Sequence, residues 1–388
     1  MRFLFVATLL FALCGCTGAP EGLAPPLDRL NYPIATVMHP EGRYLYVVNA
    51  ALDRKYRSGT VRVLDLEAGA FLKSAVLEID LFAGELALME NGGRTYGVVA
   101  SRDTQSLLQF EVRAAEGDTS SHFGPIKSYS EFGPLDFEKD PYSLAVDGDT
   151  LMLTHLSRGA VSRWSFRNDE AQTLAFECST VLGGTAGQIA KHPKVDLWYV
   201  TDETFGSISV LAPRELDDSL GDLSYGSCQL ELVDRIRVAS ITTRGLAFSP
   251  DGSMLYVVSQ TDDSLRIYDT TIGYGGRARN RLMRALPVGD NPTYVAVEPC
   301  ADNVCEATGG GLIFVSVFDD QRLLAIDPTG LYVVARIDVG RTPHDISFGR
   351  LPSGERVAFI VNFDAGSVTV VNIDPGADTR FEVIEVFR

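Results

Sequence analysis

Along this chain, short runs of alternating hydrophobic residues recur about every fifty positions, paired across small polar turns. Tyr44-Leu45-Tyr46-Val47-Val48-Asn49 leads through a polar loop to Thr60-Val61-Arg62-Val63-Leu64-Asp65. Met254-Leu255-Tyr256-Val257-Val258-Ser259 leads in the same way to Ser264-Leu265-Arg266-Ile267-Tyr268-Asp269, and Phe359-Ile360-Val361-Asn362 to Ser367-Val368-Thr369-Val370-Val371-Asn372. The alternation is by two and rich in Val, Ile, Tyr and Phe, which predicts strands; no segment sustains a helical period. The residues that close each second run are Asn49, Ser101, His155, Asp202, Ser259, Val317 and Asn362. Their spacings are 52, 54, 47, 57, 58 and 45, a mean of (362 − 49)/6, about 52.

Repetition at a fixed period decides the architecture before any single residue does. Small twisted sheets of four strands bury their faces only against neighbours, and a ring removes the uncapped ends. The expected fold is therefore all-β, a seven-bladed β-propeller of four-stranded antiparallel blades. The blades are placed at about 32–80, 84–132, 141–183, 186–240, 243–289, 292–340 and 343–388. Blade two is the least regular, with the polar loop Gly117-Asp118-Thr119-Ser120-Ser121 before its outermost strand. The last strand ends at the C-terminus, so the ring is expected to close between complete blades.

The repeat resembles the YVTN-type propeller repeats of exported bacterial and archaeal proteins. Ser249-Pro250-Asp251-Gly252 before Leu255-Tyr256-Val257-Val258 carries the likeness, as does His39-Pro40-Glu41-Gly42 before Leu45-Tyr46-Val47-Val48-Asn49. Val288-Gly289-Asp290-Asn291-Pro292 and Val339-Gly340-Arg341-Thr342-Pro343 match the lead-in to a blade; blades two, three and four lose much of the signature. The resemblance implies the fold and leaves activity open, since similar propellers include binding proteins, lactonases and quinoprotein dehydrogenase subunits. In these turns Pro presets φ, Asp caps the bend and Gly accepts positive φ, so their residues are assigned to folding. Asp65, Asp269, Asp327 and Asp374, expected to end third strands, are read as turn caps rather than as a calcium ring, because calcium-loop spacing is absent.

Arg2, the apolar run Phe3 to Leu13 and the small residues that follow read as an export leader, residues 1–15, too short to span a bilayer stably. Its end, Leu13-Cys14-Gly15-Cys16, resembles the lipobox of bacterial lipoproteins, which implies acylation of Cys16 and a membrane partner through that lipid. Residues 16–31 then form the lipidated Cys and a flexible tether. By resemblance to enteric sorting, the lack of Asp after Cys16 favours the outer membrane of the cell envelope. Removing the leader leaves 388 − 15 = 373 residues. A hydrophobic share of 45% and a charged share of 22% are those of a packed domain. The net charge of −17 repels nucleic acid, so no nucleic-acid partner is expected.

Outside the leader and Cys16, four cysteines remain, an even number suited to an oxidising compartment. Cys300 and Cys305 are expected to pair locally, which leaves Cys178 with Cys228; four-thiol metal binding lacks any Cys-x-x-Cys pair. The five histidines do not converge, with His39 and His192 at turns, His122 in the irregular part of blade two, and His155 and His344 on opposite sides of the ring. No metal site and no cofactor are expected.

Loops from every blade converge only at the channel mouth, which is where a propeller site belongs. The positions that begin first strands supply Glu85, Tyr142, Gln188, Arg244, Asn291 and His344 as the candidate rim for a ligand or partner. Arg244 stands out as a cation suited to a carboxylate or an acidic loop in an acidic protein. His344-Asp345 offers a His–carboxylate pair, although neighbours on a strand face opposite ways. No Gly-x-Ser-x-Gly elbow, phosphate-binding Gly-x-x-x-x-Gly-Lys loop or Cys-x-x-Cys-His motif occurs. The expected function is a non-catalytic, membrane-anchored scaffold binding a protein or polymer. A lactonase-like or quinone-linked enzyme with a site at the channel mouth is the alternative, and a purely structural envelope component a third reading.

Overall fold

The computed structural model describes residues 22–130, 140–167, 172–215, 228–238, 242–299 and 311–388. They form seven antiparallel sheets of four strands in sequential order, spanning 33–79, 83–129, 141–181, 189–237, 243–287, 292–338 and 343–387. The chain is a seven-bladed β-propeller. The seven residues that set the repeat, from Asn49 to Asn362, each end the second strand of their blade. The first strand of blade one lies between the first strands of blades two and seven, so the ring closes between complete blades. Among the described residues no helix is long and apolar enough to cross a membrane.

Alternation becomes packing between blades. In the second strand of blade one, Leu45 and Val47 join a cluster with Val357, Phe359 and Val368 of blade seven. Tyr44, Tyr46 and Val48, on the other face, pack with Val99, Leu108 and Phe110 of blade two. Seven such clusters occur among the described residues, each shared by two adjacent blades. Central strands are buried on both faces, which is why Tyr44–Asn49 and Ser367–Asn372 contain no exposed position. The outermost strand of blade five, Arg281–Pro287, has no blade beyond it and is exposed at every residue but Leu286.

Turn residues take the structural roles their pattern implied. His39 Nδ1 accepts from the Glu41 amide, and His192 Nδ1 from the Lys194 amide, each at 3.2 Å. In the matching turn Ser249 Oγ accepts from the Met254 amide at 2.9 Å and donates to Asp251 at 2.6 Å. Asp65 accepts from the Glu67 amide and pairs with Arg43, and Asp269 accepts from the Thr271 amide. Each carboxylate thus closes its own loop.

Cys178 and Cys228 form a disulfide, with Cα atoms 5.6 Å apart, between the outer strands of blades three and four. Cys300 and Cys305 lie outside the described residues, as do the leader and Cys16. Of the span expected as a tether, residues 22–31 lie against blade one. Leu23 bridges to Tyr56, Leu30 is buried, and Arg62 donates to the Leu27 carbonyl at 2.9 Å.

Candidate functional site at the channel mouth

The first strand of each blade has one ladder partner, so its other edge presents unpaired amides to the channel. Here side chains of the preceding blade satisfy several of them. Glu85 of blade two accepts from the Leu144 amide of blade three at 3.0 Å and from Ser143 Oγ at 2.6 Å. Ser143 Oγ accepts in turn from the Ile189 amide of blade four at 3.4 Å. Asp345 of blade seven accepts from the Thr36 amide of blade one at 2.7 Å and from Thr36 Oγ1 at 3.1 Å. The same step, from one residue to the next position on the neighbouring strand, closes the ring from blade seven to blade one.

The six rim candidates fall on three levels rather than one. Asn291 (φ 58°) stands outermost, in the left-handed conformation shared by Tyr32, Phe82, Asp140, Thr242 and Thr342 just before their first strands. The carbonyls of all six accept the amide that follows the second strand, as Gln260 N does to Thr242 and Phe318 N to Asn291. Tyr142, Arg244 and His344 form the next level. Glu85 and Gln188 lie one position deeper, level with Ser143, Tyr294 and Asp345, each directly before the first core residue of its strand.

In six blades the ladder shifts register between the start of the first strand and this deeper level. Such a bulge breaks strict alternation, so successive residues such as His344 and Asp345 join one polar cluster. Small residues allow the approach. A Cβ on Gly245 would meet Tyr294 Cα of the next blade at 2.8 Å, and one on Gly84 the Tyr142 carbonyl at 2.8 Å.

Contacts then cross the channel. Gln188 Nε2 of blade four donates to Glu85 Oε1 of blade two at 3.2 Å. Arg244 of blade five reaches the Tyr142 hydroxyl of blade three at 3.4 Å, donates to Gln260 at 3.1 Å and pairs with Glu203 at 3.0 Å. The Arg102 guanidinium lies 5.7 Å from the Tyr142 ring centre while pairing with Asp140 at 2.6 Å. The Arg244 side chain keeps 35% of its surface exposed, against 18% for Glu203.

Enclosure shifts the titrating groups toward their neutral forms. Burial pushes the Glu85 carboxyl up to about 7, against hydrogen bonds from Ser143 and Leu144. Burial likewise pushes Asp345 up to about 6, although Thr36 pulls the other way. The His344 imidazole is pushed down to about 4, first by burial and then by the charge of Arg244. Its Nδ1 is buried with no hydrogen-bond partner. Near neutrality the cluster therefore holds a neutral imidazole, a Glu85 carboxyl close to half-titration, an Asp345 carboxyl mostly ionised and a paired guanidinium. It can take up or place a proton and can hold an anion at Arg244. Among the described residues no group of three His, Cys, Asp or Glu side chains is placed to hold a metal ion.

Counting along the sequence discounts Asp345 and passes over Tyr294, Ser143 and Glu203. The first three carry a usable signal, the polar residue immediately before the first core position of the strand. Glu203 sits in the turn after a second strand and meets Arg244 only in the assembled ring.

No protein-family model matches the sequence, and no curated protein sequence matches it. Solved structures resemble it in fold. The periplasmic gluconolactonase PpgL of Pseudomonas aeruginosa is 21% identical over 82% of this chain and 89% of its own, with a TM-score of 0.62. Hydrazine synthase of Kuenenia stuttgartiensis is 16% identical over 88% and 96%, at 0.58. A putative 6-phosphogluconolactonase of Bacteroides fragilis is 12% identical over 88% and 89%, also at 0.58. At these identities the likeness establishes the propeller alone.

Proposed function

We propose that this protein is an exported, lipid-anchored propeller of the bacterial cell envelope, and that it acts as a non-catalytic scaffold binding an acidic group of a protein or polymer at its channel mouth. One observation carries the reading. The channel carboxylates are spent on neighbouring amides and hydroxyls, whereas Arg244 keeps a third of its side chain exposed where the loops converge. A guanidinium held on one side by Glu203 and Gln260 still offers donors to an incoming carboxylate. The leader and the Leu13-Cys14-Gly15-Cys16 motif support export and acylation at Cys16.

A second reading, a lactonase-like enzyme, is favoured by Glu85 and Asp345, whose carboxyls titrate close to neutrality, beside the neutral His344. The gluconolactonase names of two fold neighbours are consistent with it. The two readings separate in one set of measurements. Titration with poly-glutamate should give binding that weakens at least about tenfold in Arg244→Met, as expected for loss of a charged hydrogen bond. Glucono-1,5-lactone should hydrolyse at the uncatalysed rate. Saturable lactone turnover abolished by Glu85→Gln or His344→Gln would overturn the scaffold reading in favour of the enzyme.

A further inference from the structure

Against a net charge of −17, one segment of the rim has the opposite character. From Thr270 to Gly289 there are twenty residues with four arginines, Arg277, Arg279, Arg281 and Arg284, and no Asp or Glu. They belong to the loop between the third and fourth strands of blade five and to the outermost strand itself, Arg281–Pro287. The loop folds as a small hairpin. Ile272 bridges to Ala278, the Gly273 amide donates to the Arg277 carbonyl at 2.8 Å, and the Arg279 amide to the Thr271 carbonyl at 3.2 Å.

Tyr274 stands at the hairpin tip, fully exposed, followed by Gly275 and Gly276 in left-handed conformations that turn the chain back. All four arginines are exposed. Arg279 pairs with Asp269 at 3.2 Å, but Arg277, Arg281 and Arg284 have no carboxylate partner among the described residues. Leu282 and Met283 lie between them with 44% and 50% of their surface exposed. A chain with 51 acidic residues has ample carboxylates to neutralise three guanidinium groups, yet among the described residues none is paired with them.

We propose that this arm docks the blade-five rim onto a bilayer carrying anionic phosphate headgroups. The cations answer the surface charge, and charge complementarity is needed because the rest of the acidic disk is repelled. Tyr274 supplies an amphipathic ring for the interface, and Leu282 and Met283 supply exposed apolar surface. An acidic soluble polymer would use the same arginines but would gain little from a bare tyrosine on a glycine hinge, which favours the bilayer. The contact lies in the outer part of blade five, away from the channel cluster, and stands independently of the reading given for the mouth.

The test uses the full chain with Cys16→Ser, so that no acyl group contributes, in co-sedimentation with phosphatidylcholine vesicles and with vesicles holding a third phosphatidylglycerol. The leader, with Arg2 and the amino terminus, is common to parent and variants, so the readout is the change between them in the ratio of the two partition coefficients. The ratio should be high, should fall with added salt, and should drop about a hundredfold in Arg277→Ser/Arg281→Ser/Arg284→Ser. Tyr274→Ser should weaken partitioning by a smaller factor at unchanged thermal stability. A ratio unchanged by the triple substitution overturns the proposal. So does loss of vesicle binding to equimolar soluble polyphosphate in the parent chain with the Tyr274→Ser variant indistinguishable, which would assign the arm to a soluble polyanion.

Discussion

The blades expose sheet edges on two sides, toward the channel and toward the rim. At the channel, first strands bring polar side chains next to unpaired amides, and each charge finds a partner: Glu85 on Ser143 and Leu144, Asp345 on Thr36, Arg244 on Glu203. At the rim of blade five, the outermost strand and its hairpin hold Arg277, Arg281 and Arg284 in solvent, with no carboxylate partner among the described residues. The difference follows from enclosure. Seven strands converge on a narrow space, where an unsatisfied polar group is costly, while the rim edge is satisfied by water and is free to be specialised for contact. The inner edge is thus where polarity serves folding first, and the outer edge is where sequence can vary without cost to the ring.

This contrast can be broken at several points. Phe359→Ala removes a fully buried ring from the packing between blades seven and one and should cost about 4 kcal/mol in chemical denaturation, whereas Leu282→Ala on the rim should stay within about 0.5 kcal/mol. Equal losses would mean that the outer strand packs against something else. Replacing Cys178 and Cys228 together by Ala removes the link between blades three and four and should cost about 3 kcal/mol, with the parent losing a similar amount on reduction.

At the channel, Asp345→Ala leaves the Thr36 amide without its acceptor and the Thr36 hydroxyl with Ser347 alone, and should cost about 2 kcal/mol, while Asp345→Asn, which keeps an oxygen there, should recover most of it. Similar behaviour of the two substitutions would show that the carboxyl is not a cap.

The pH dependence is the most diagnostic of enclosure. Glu85 titrates at about 7 in the fold and near 4.5 when unfolded, so across that interval the unfolded chain releases a proton that the fold retains, and stability falls as pH rises. Asp345, at about 6 against 3.8, acts in the same direction. His344, at about 4 against 6.5, acts oppositely, because below 6.5 the unfolded imidazole binds a proton that the folded one refuses. Melting curves between pH 4.5 and 7.5 should show Glu85→Gln flattening the decline toward neutrality and His344→Gln steepening it. Parallel curves for parent and variants would place these groups in water rather than in a closed cluster.

Much of this was legible in the chain. The period near 52, the strand ends from Asn49 to Asn362, and the folding roles of His39, His192 and the Asp caps rest on local patterns that survive in the structure, and Cys178 pairs with Cys228 as elimination among four cysteines predicts. The rim was less legible. Counting by two groups Asn291 with Arg244 and His344 although it sits two positions outside their level, and turns Asp345 away from His344. Both arise from the bulge at the start of the first strand, which inserts a position that strict counting by two does not allow.

The basic character of 277–284 could be read from the chain, but the lack of carboxylate partners among the described residues could not. By itself, then, the sequence determined what depends on neighbours along the chain: alternation, turns, repeat length and hence the ring of blades. Only the tertiary structure decided which charges meet, since Gln188 with Glu85 or Arg244 with Tyr142 are encounters across the channel, between residues 103 and 102 positions apart, that exist once the ring has closed.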